Sequence, residues 1–418
     1  MKRNRVAAID IGTTKVATIM ADIDSAGGRP RILGVGVAPS LGLQKGLVVN
    51  IEEAKQSIRE SVRKAERSAG YRLESAYIGI TGRHINSVNN RGVISISRND
   101  RLVRPDDLKR VLDIARSIKV PNDQKLLHVI PRSYMVDGQE GIKNPVGMHG
   151  FRLDVEAHIV TAAVTSVQNL TKCIRGLSIE VEDLVLESLA SAEAVLTKEE
   201  KMAGVLLADI GGGTTDICVI KDDTIYHTSI LPVGGYQVTR DISIGLGLSY
   251  ELAEEMKKRY GNVLPHEEDE KEEEKTVTAD GQSISYHNLS EIIRIRMEEL
   301  IRLIVLELPH GDYAKLIPAG IVLTGGGANL PGLAEMGQEI TRLPVRVGIP
   351  DNLYGVSDSL RDPAYATSVG LMMWKFKNQG AQSYQMPRGV FFSFLSRLFR
   401  GAPRNTTTNT TTNTTSQY

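Results

Sequence analysis

The stretch AIDIGTTKVA (8–17) and the stretch LADIGGGTTDICVI (207–220) share one pattern, nearly half the chain apart. In each, an apolar run ends in Asp-Ile-Gly, a turn of Gly and Thr follows, and a second apolar run begins. Apolar runs of this length that end in Gly are typical of buried strands. The repeat therefore predicts two related lobes that each present one β-hairpin, and it weakens the alternative of two unrelated β-turns.

The composition of the two turns suits a phosphate group. Gly lacks Cβ, so backbone N–H groups can approach phosphate oxygens, and Thr hydroxyls add further donors. Asp10 and Asp209 end their strands, where a carboxylate can hold Mg²⁺ or its waters. Two such hairpins facing each other would grip a triphosphate from both sides. The chain contains no G-x-x-x-x-G-K-[ST] motif, so a Walker-type P-loop is excluded.

A third Gly cluster lies in IVLTGGGANLPGLAEM (321–336). The pattern predicts a strand that ends at Thr324, a turn at 325–327, and a helix that starts near Asn329 with Pro331 in its first turn. A turn without side chains lets the backbone pack against a flat ligand such as adenine. As the third element after two hairpins, this cluster favours a nucleotide site.

The stretch GLGLSYELAEEMKKRYG (245–261) places Glu254 and Lys257 three residues apart on one helical face. Two interpretations stay open. The pair could hydrogen-bond a ribose or base, or it could be a plain surface ion pair.

Composition bounds the class of protein. At 418 residues we expect two or more lobes, because single cores stop growing near ~250–300 residues. Lys plus Arg equals Asp plus Glu, which argues against a generic nucleic-acid binder. Cys173 and Cys218 lack the spacing of a zinc site and indicate a reducing compartment. The N-terminal stretch meets Asp10 too soon for a signal peptide, and no apolar run approaches the ~20 residues of a membrane span.

Further segments have clear local patterns. The stretch 50–70 predicts a helix with Asn50 as N-cap and a stop at Gly70, and the stretch 103–118 predicts a helix with Pro105 in its first turn. HEEDEKEEEK (266–275) is expected to be a solvated loop between helices. The Asn/Thr-rich C-terminal tail has low complexity and cannot build a core.

These motifs resemble the actin-like ATPase superfamily. The stretch LHVIPRSYMVDGQEGIKNPVGMHGFRLDVEAHIVTA (127–162), the stretch YIGITGRHI (77–85) and the order of all motifs narrow the resemblance to the FtsA family of bacterial cell-division proteins. It runs from Val6 to about Trp374, and the Phe-rich tail resembles the family as well. The implied fold is α/β: a two-lobed, actin-like (duplicated ribonuclease-H-like) ATPase fold with an FtsA-type inserted subdomain and a C-terminal amphipathic helix.

The resemblance implies a division of the chain into named parts. These are the first-lobe core (1–83, 162–199 and about 360–374), the inserted SHS2-like subdomain (84–161), the second-lobe core (200–235 and 310–359), its small subdomain (236–309), a linker (375–388), an amphipathic membrane-targeting helix (389–401) and a disordered tail (402–418).

The resemblance also implies ATP and Mg²⁺ as cofactors, with at most weak ATPase activity. Glu187 lies in the segment that links the lobes, where the superfamily often places a residue that orients the attacking water; it could instead be a helix-surface carboxylate. Glu187 and Asp209 are the predicted catalytic residues, and Asp10 and Asp209 the predicted metal ligands. The predicted cofactor-binding residues are Asp10, Gly12, Thr13, Thr14, Lys15, Gly211, Gly212, Gly213, Thr214, Thr215, Asp216, Gly234, Gly235, Glu254, Lys257, Gly325, Gly326, Gly327 and Asn329.

The partners implied by the resemblance are the FtsZ C-terminal peptide, further copies of the chain in an actin-like filament, anionic lipids, and later division proteins that bind the inserted subdomain. EIIRIRMEELIRLI (291–304) matches part of the FtsZ-binding region, although family members often have Pro where Ile295 stands. Arg294, Arg296 and Arg302 are the predicted contacts for the acidic peptide. The implied location is the cytoplasmic face of the cell membrane at the division septum.

The Phe-rich stretch GVFFSFLSRLFRG (389–401) holds four of the six Phe residues of the chain. At about 100° per residue its apolar side chains fall within an arc of about 160°, so a helix here would lie in a membrane interface without spanning it. From Lys375 to Arg404 there are six basic residues and no acidic ones, which favours an anionic leaflet. The alternative is docking onto protein. The predicted membrane-binding residues are Phe391, Phe392, Phe394, Leu395, Arg397, Leu398, Phe399 and Arg400.

The leading hypothesis is a polymerising, ATP-binding adaptor that anchors the FtsZ ring to the membrane. Two alternatives remain open at this point. A small-molecule kinase of the same superfamily would need a general base and an acceptor pocket, and no convincing acceptor motif occurs. A PilM-like pilus-assembly adaptor should lack the membrane helix.

Overall fold

The structure is a computed structural model that describes residues 4–23, 30–117, 120–264, 276–279, 282–309, 313–351, 353–356 and 358–381. The acidic run 266–275, the Phe-rich stretch 389–401 and the tail 402–418 lie outside the described residues, so the predictions for them stay predictions. The strands are β1 Asn4–Ile11, β2 Lys15–Ile23, β3 Arg31–Pro39, β4 Leu43–Gln44, β5 Leu47–Val48, β6 Ser75–Ile80, β7 Ile85–Ser95, β8 Gln124–Val136, β9 Gln139–Ile142, β10 Arg152–Ala163, β11 Glu180–Leu186, β12 Val205–Ile210, β13 Thr215–Lys221, β14 Thr224–Leu231, β15 Thr276–Ala279, β16 Gln282–Ser285, β17 Ile321–Thr324, β18 Val345–Val347 and β19 Tyr354–Gly355.

The α-helices are α1 Ile51–Ala69, α2 Pro105–Arg116, α3 Val164–Arg175, α4 Glu187–Val195, α5 Lys198–Ala203, α6 Gly235–Leu246, α7 Tyr250–Tyr260, α8 Tyr286–Leu306, α9 Tyr313–Leu316, α10 Leu333–Thr341 and α11 Ala366–Ala381. Short 3₁₀ helices cover Gly326–Asn329, Asp358–Leu360 and Pro363–Tyr365.

Two sheets of the same topology form the framework. In the first sheet, β3, β2 and β1 are antiparallel neighbours, and β6 and β11 continue in parallel beside β1. In the second sheet, β14, β13 and β12 are antiparallel neighbours, and β17 and β18 continue in parallel beside β12. The strand order and orientation are the same in both, apart from the short strand β19 that extends the first sheet. The prediction of two related lobes with one hairpin each is confirmed.

Helices α4 and α11 lie in the core that the two lobes share. Leu189 of α4 and Met372 of α11 belong to one buried cluster with Ala8 of β1 and Leu207 of β12. Burial of this apolar surface is worth about 25 cal/mol per Å², so it holds the two sheets against the same pair of helices. The hairpins at the ends of β1 and β12 are thereby brought to one place.

Helix α1 has the predicted ends. The Asn50 side chain accepts hydrogen bonds from the backbone N–H groups of Glu52 and Glu53, and Gly70 closes the helix with φ of 76°. The helix packs on β3, where a Cβ at Gly36 would lie 2.0 Å from the carbonyl oxygen of Ser61. The close approach of α1 to the sheet therefore requires glycine. Helix α2 begins at Pro105, also as predicted.

A separate four-stranded sheet is inserted between β6 and α3. Its strand order is β7-β10-β8-β9, and α2 packs against it. The buried His158 on β10 hydrogen-bonds Asn89 on β7 at 2.7 Å and Thr228 on β14 at 2.9 Å. This side chain joins the inserted sheet to the edge strand of the second lobe.

Two local predictions are wrong. No α-helix starts near Asn329: residues Gly326–Asn329 form a 3₁₀ turn, and α10 begins at Leu333, after Pro331 and the left-handed Gly332. The Asn329 side chain donates to Asp362 at 2.9 Å, so it is not available as an N-cap. The predicted linker at 375–388 is also too long, because α11 continues to Ala381. Lys375 still contacts the body of the protein, donating to the Arg5 carbonyl at 3.1 Å.

Two further predictions concern membrane-spanning segments and the oxidation state of the cysteines. Over the described ranges, no helix has the length and hydrophobicity that a membrane crossing requires. Cys173 and Cys218 are both buried and form no disulfide.

Candidate functional site

The two hairpin turns face each other and have the same geometry. The Gly12 N–H donates to the Lys15 carbonyl at 3.0 Å, and the Gly211 N–H donates to the Thr214 carbonyl at 2.9 Å. Lys15 therefore takes the place in the first turn that Thr214 takes in the second. A Cβ at Gly212 would lie 2.4 Å from Cγ2 of Thr14, and a Cβ at Gly213 would lie 2.6 Å from Oγ1 of Thr13. Because the two turns correspond residue by residue, these two contacts are equivalent to each other. An approximate two-fold axis therefore relates the two turns.

Seven separate parts of the chain line a cavity of about 450 Å³ between the lobes. This volume is in the range of small-molecule and cofactor sites. The predicted residues that line the cavity are Thr14, Lys15, Gly211, Gly212, Gly235, Glu254, Lys257, Gly326, Gly327 and Asn329. A neighbouring cavity of about 390 Å³ is lined by Thr13 and Gly213, together with Ser40 and Lys45, which the sequence pattern did not indicate.

The N-terminus of α6 holds the second turn. The N–H groups of Gly235 and Tyr236 donate to the carbonyls of Gly211 and Gly212 at 2.9 and 2.7 Å. A Cβ at Gly234 would lie 2.5 Å from the Gly211 carbonyl oxygen. Glycine at 234 is thus required for the close approach of helix and turn.

Glu254 and Lys257 form an ion pair inside the site. The Lys257 Nζ lies 2.6 Å from Oε2 of Glu254 and also donates to the Gly235 carbonyl at 3.1 Å and to Thr239 Oγ1 at 2.7 Å. Their side chains are only 13% and 22% exposed, and both line the cavity. Of the two interpretations open at the sequence level, the plain surface pair does not fit this position.

Four buried carboxyl groups lie behind the turns. Asp10, Glu187, Asp209 and Asp216 are each less than a tenth exposed. Burial in a low-dielectric region disfavours charge, and the groups also repel one another. The pKa of Asp10 is raised to about 6 and that of Asp216 to about 7, chiefly by burial. Burial also raises the pKa of Asp209, and it raises the pKa of Glu187 well above its ordinary value.

Hydroxyl groups and one lysine partly offset the free-energy cost of burying these carboxyl groups in their charged form. Ser368 donates to Asp10 at 2.7 Å, Thr367 donates to Asp209 at 2.9 Å, and Thr214 donates to Asp216 at 3.0 Å. Lys15 lowers the pKa of Asp10 by its charge. Its ammonium group lies 2.5 Å from the Ala364 carbonyl oxygen and 3.7 Å from the centre of the Tyr365 ring.

Further hydroxyl donors to the carboxyl groups were missed by the sequence analysis. Thr81 donates to Asp216, and Ser191 donates to Asp209. Thr81 lies in the stretch 77–85 that carries the family resemblance, but no pattern there assigned it a role, and only the fold brings the two hydroxyls to the cluster.

The carboxyl cluster fits a magnesium ion bound through few protein ligands. In the described part of the chain, no three acidic, His or Cys side chains form a preformed metal cage. Mg²⁺ commonly keeps several waters and takes one or two carboxylates together with phosphate oxygens. Asp10 and Asp209 act on each other electrostatically and end equivalent strands, which suits that mode.

The three glycines of the third cluster differ in their surroundings. Gly326 and Gly327 line the cavity. A Cβ at Gly325 would lie 2.3 Å from Oδ1 of Asp209, and the residue has φ of 81°. Gly325 therefore makes room for the Asp209 carboxylate.

The predicted partner residues lie on α8, away from the carboxyl cluster. Arg294 pairs with Glu291 at 2.9 Å, and Arg302 pairs with Glu298 at 2.7 Å. Arg296 contacts Asp241 and Glu299 at 2.5 Å each. All three guanidinium groups are thus bound by carboxylates of the same chain. The predicted membrane-binding residues 391–400 lie outside the described residues.

The carboxyl cluster predicts an unusual dependence of stability on pH. Between about pH 8 and 6.5 the folded protein binds protons at Asp216 and Asp10 that the unfolded chain does not, so the free energy of unfolding should rise as the pH falls. Below about pH 6.5 the rise should level off, because buried histidines such as His128 and His158 have lowered pKa values of about 4 and 3 and are protonated only on unfolding, which offsets the continuing proton uptake at the carboxyl groups.

The unfolding temperature of the ligand-free protein should therefore rise as the pH falls from 8 to about 6.5 and change little just below that. Asp216→Asn should flatten the rise above pH 6.5. A stability that rises steadily from pH 6.5 to 8 would contradict the pKa assignment.

Comparison with known proteins shows the family to which the chain belongs. The family model for cell division protein FtsA matches residues 206–370, and the model for the SHS2 domain inserted in FtsA matches residues 82–161. The chain is 43% identical to the cell division protein FtsA of Pseudomonas aeruginosa over 377 residues, which cover 90% of each protein. It is 38% identical to the cell division protein FtsA of Bacillus subtilis over 389 residues, 91% of this chain and 86% of that protein.

Solved structures show the same fold at lower identity. A PilM–PilN type IV pilus biogenesis complex aligns with a TM-score of 0.61 and 16% identity, covering 91% of this chain and 99% of that chain. MreB 5 of Spiroplasma citri bound to AMPPNP aligns with a TM-score of 0.55 and 13% identity, covering 92% of this chain and all of that chain. At these identities the likeness concerns the fold alone, and the pilus adaptor and the kinase are not favoured as functions. With its duplicated sheets, inserted domain and close relatives, the chain belongs to the FtsA family of cell division proteins and has their actin-like fold.

Proposed function

We propose that this chain binds Mg²⁺-ATP between its lobes, assembles into an actin-like filament, and tethers the FtsZ ring to the cytoplasmic face of the membrane at the division septum. The proposal of nucleotide binding rests on the two equivalent Asp-Ile-Gly hairpins, which face each other beside one cavity. Backbone N–H groups and hydroxyls from both turns would hold the phosphates from two sides.

Roles within the site follow from position. Asp10 and Asp209 would hold Mg²⁺ or its waters, and the ion would relieve the repulsion among the four carboxyl groups. Gly326 and Gly327 would accept the base, and the Glu254–Lys257 pair would contact the ribose or base edge. Glu187 is buried at the start of α4 beside the three aspartates, which supports its proposed role in orienting the attacking water. Its buried position argues against a plain helix-surface carboxylate.

For the FtsZ C-terminal peptide we propose docking on α8. Arg294, Arg296 and Arg302 lie along this helix, and the intervening Ile295 is 57% exposed. An acidic peptide would compete for the arginines with the carboxylates that now pair with them. Exposed ion pairs are worth only ~0–1 kcal/mol, so exchange of partners is feasible. The inserted sheet is proposed to receive later division proteins.

The membrane contact is proposed to be the Phe-rich stretch 389–401. Six apolar side chains, partly buried in the interface, would contribute ~6–10 kcal/mol, and ordering ten residues costs on the order of 10 kcal/mol. One copy would therefore bind marginally, and basic residues add about 1 kcal/mol each near an anionic leaflet. A filament that carries many such anchors would bind through avidity.

Vesicle sedimentation tests the proposal. The full-length protein should pellet with vesicles that contain phosphatidylglycerol, and more so with Mg²⁺-ATP. Phe392→Glu with Phe399→Glu should reduce binding at least tenfold, because charge enters the apolar face. Phe392→Leu with Phe399→Leu is the matched control and should bind nearly like the wild type.

Retained binding by the glutamate variant would place the anchor elsewhere. If the wild-type protein stays in solution with and without nucleotide, the tether is wrong.

A further inference from the structure

The exposed side of α1 carries a row of arginines. Arg59, Arg63 and Arg67 are spaced four residues apart and so lie on one face of the helix, and Arg72 follows shortly after its end. We call these four residues the arginine face. All four are exposed, and within the described part of the chain none of them forms an ion pair or side-chain hydrogen bond. They differ in this from the arginines of α8, which are each bound by carboxylates.

The arginine face borders two adjoining grooves on the first lobe. One groove of about 780 Å³ is lined by Arg59, Arg63 and Arg72, and a shallower one of about 560 Å³ is lined by Arg63, Arg67 and Arg72. The glutamates that also line them are Glu66, Glu74 and Glu180. Glu66 accepts a hydrogen bond from the Leu73 N–H at 2.8 Å. Neither groove contains a residue of the site between the lobes, so that site does not account for them.

The shallower groove lies near Lys375, a residue within α11 that stands six positions before this helix ends at Ala381. Lys375 of α11 donates to the Arg5 carbonyl at 3.1 Å, and the Arg5 guanidinium lies 3.9 Å from the centre of the Tyr71 ring. Tyr71 and Arg72 both line the shallower groove. From Lys375 the chain continues towards the Phe-rich stretch 389–401. The arginine face is therefore near α11, the helix that precedes the proposed tether in the sequence.

We propose that the arginine face binds the phosphate headgroups of anionic phospholipids and forms a second membrane contact. This inference rests on the proposed membrane tether. Arginine suits the role because its planar guanidinium group binds phosphate oxygens in pairs and is weakly hydrated. A leaflet attracts basic residues only within a Debye length, about 8 Å at physiological salt, so the surface has to be held close to it. The proposed tether, which follows α11 in the sequence, would hold the protein at the membrane surface.

Two membrane contacts would fix the orientation of the protein on the membrane, whereas a single contact would not. A helix joined to the body through a linker leaves the body free to rotate above the membrane. A second contact on the rigid α1 selects one orientation of the first lobe. In a filament, every subunit would then present the same face to the lipid.

Binding of the full-length protein to vesicles tests this inference. The arginine variant carries Arg59→Gln, Arg63→Gln and Arg67→Gln. Its binding to vesicles of phosphatidylcholine with phosphatidylglycerol should weaken by about 100-fold, because each of the three basic residues near an anionic surface contributes about fivefold in affinity. Binding to vesicles of phosphatidylcholine alone should change little. In the wild type, amide exchange over 51–72 should slow when the anionic vesicles are added.

The matched control removes the same charge elsewhere. It carries Lys198→Gln, Arg240→Gln and Arg361→Gln, three exposed positions outside both grooves. This variant should bind the anionic vesicles within about twofold of the wild type. Equal weakening by both variants would mean that only net charge matters, and would overturn the inference.

The remaining outcomes separate this inference from the tether. If the double glutamate variant of the Phe-rich stretch is released while the arginine variant binds like the wild type, the tether stands and the inference is wrong. If the wild type binds no vesicles, the tether fails and the inference falls with it. If the arginine variant loses self-association but not lipid binding, the grooves accept an acidic protein segment, such as 266–275 of a second copy, and not lipid.

Discussion

Asp209→Asn is expected to weaken binding of Mg²⁺-ATP about 100-fold, or ~3 kcal/mol, the usual cost of removing one member of a buried charge pair. Its carboxylate is buried and receives hydroxyl donors from Ser191 and Thr367, which an asparagine oxygen can still accept. The fold should therefore survive while the negative charge at the proposed Mg²⁺ site is lost. Without Mg²⁺ the same charge repels the triphosphate, so ATP binding in EDTA should stay the same or become tighter.

Calorimetric titration with and without Mg²⁺ measures both effects. The matched control is Asp154→Asn, a buried carboxylate of the inserted sheet that pairs with Arg91 at 2.7 Å and Arg152 at 2.8 Å. That variant should lose stability, because two arginines lose their partner, without losing nucleotide affinity. An Asp209→Asn protein that binds Mg²⁺-ATP like the wild type would remove Asp209 from the metal side of the site.

Gly325→Ala is expected to lower the free energy of unfolding by ~2–4 kcal/mol and to reduce nucleotide affinity as well. Two costs add here. The residue has φ of 81°, which strains any side chain, and the new Cβ would lie 2.3 Å from the Asp209 carboxylate and 2.6 Å from the Ile210 carbonyl oxygen. Relief of that contact would shift Asp209 away from the site. The unfolding temperature should fall by roughly 2–5 °C, because the entropy of unfolding of a chain of 418 residues is large.

Gly138→Ala separates the two costs. Gly138 has φ of 89°, but a Cβ there would meet nothing within 4 Å. Its substitution should therefore cost only ~1 kcal/mol of backbone strain and leave nucleotide affinity unchanged. If the two alanine variants behave alike, the contact with Asp209 does not matter and Gly325 serves only the turn.

Local sequence patterns correctly predicted those helix ends that are determined by short-range interactions. Asn50 and Gly70 bound α1 because a side-chain acceptor and a left-handed glycine satisfy the free backbone groups at helix ends. The same reasoning was wrong at Asn329, where a competing partner, Asp362, comes from a distant part of the chain. It was wrong again after Lys375, where α11 continues beyond the residues that pack in the core.

The sequence by itself determined the duplicated hairpins, since an apolar strand, Asp-Ile-Gly and a Gly/Thr turn are short-range signals that occur twice. Only the tertiary structure decided that Asp10, Glu187, Asp209 and Asp216 share one buried volume, and that hydroxyls from Thr81, Ser191, Thr367 and Ser368 surround them. The reason is physical. A raised pKa or a bound cation depends on the distances between the carboxyl groups and on their burial. Both are set only when the two sheets pack against α4 and α11, which are far apart in the sequence.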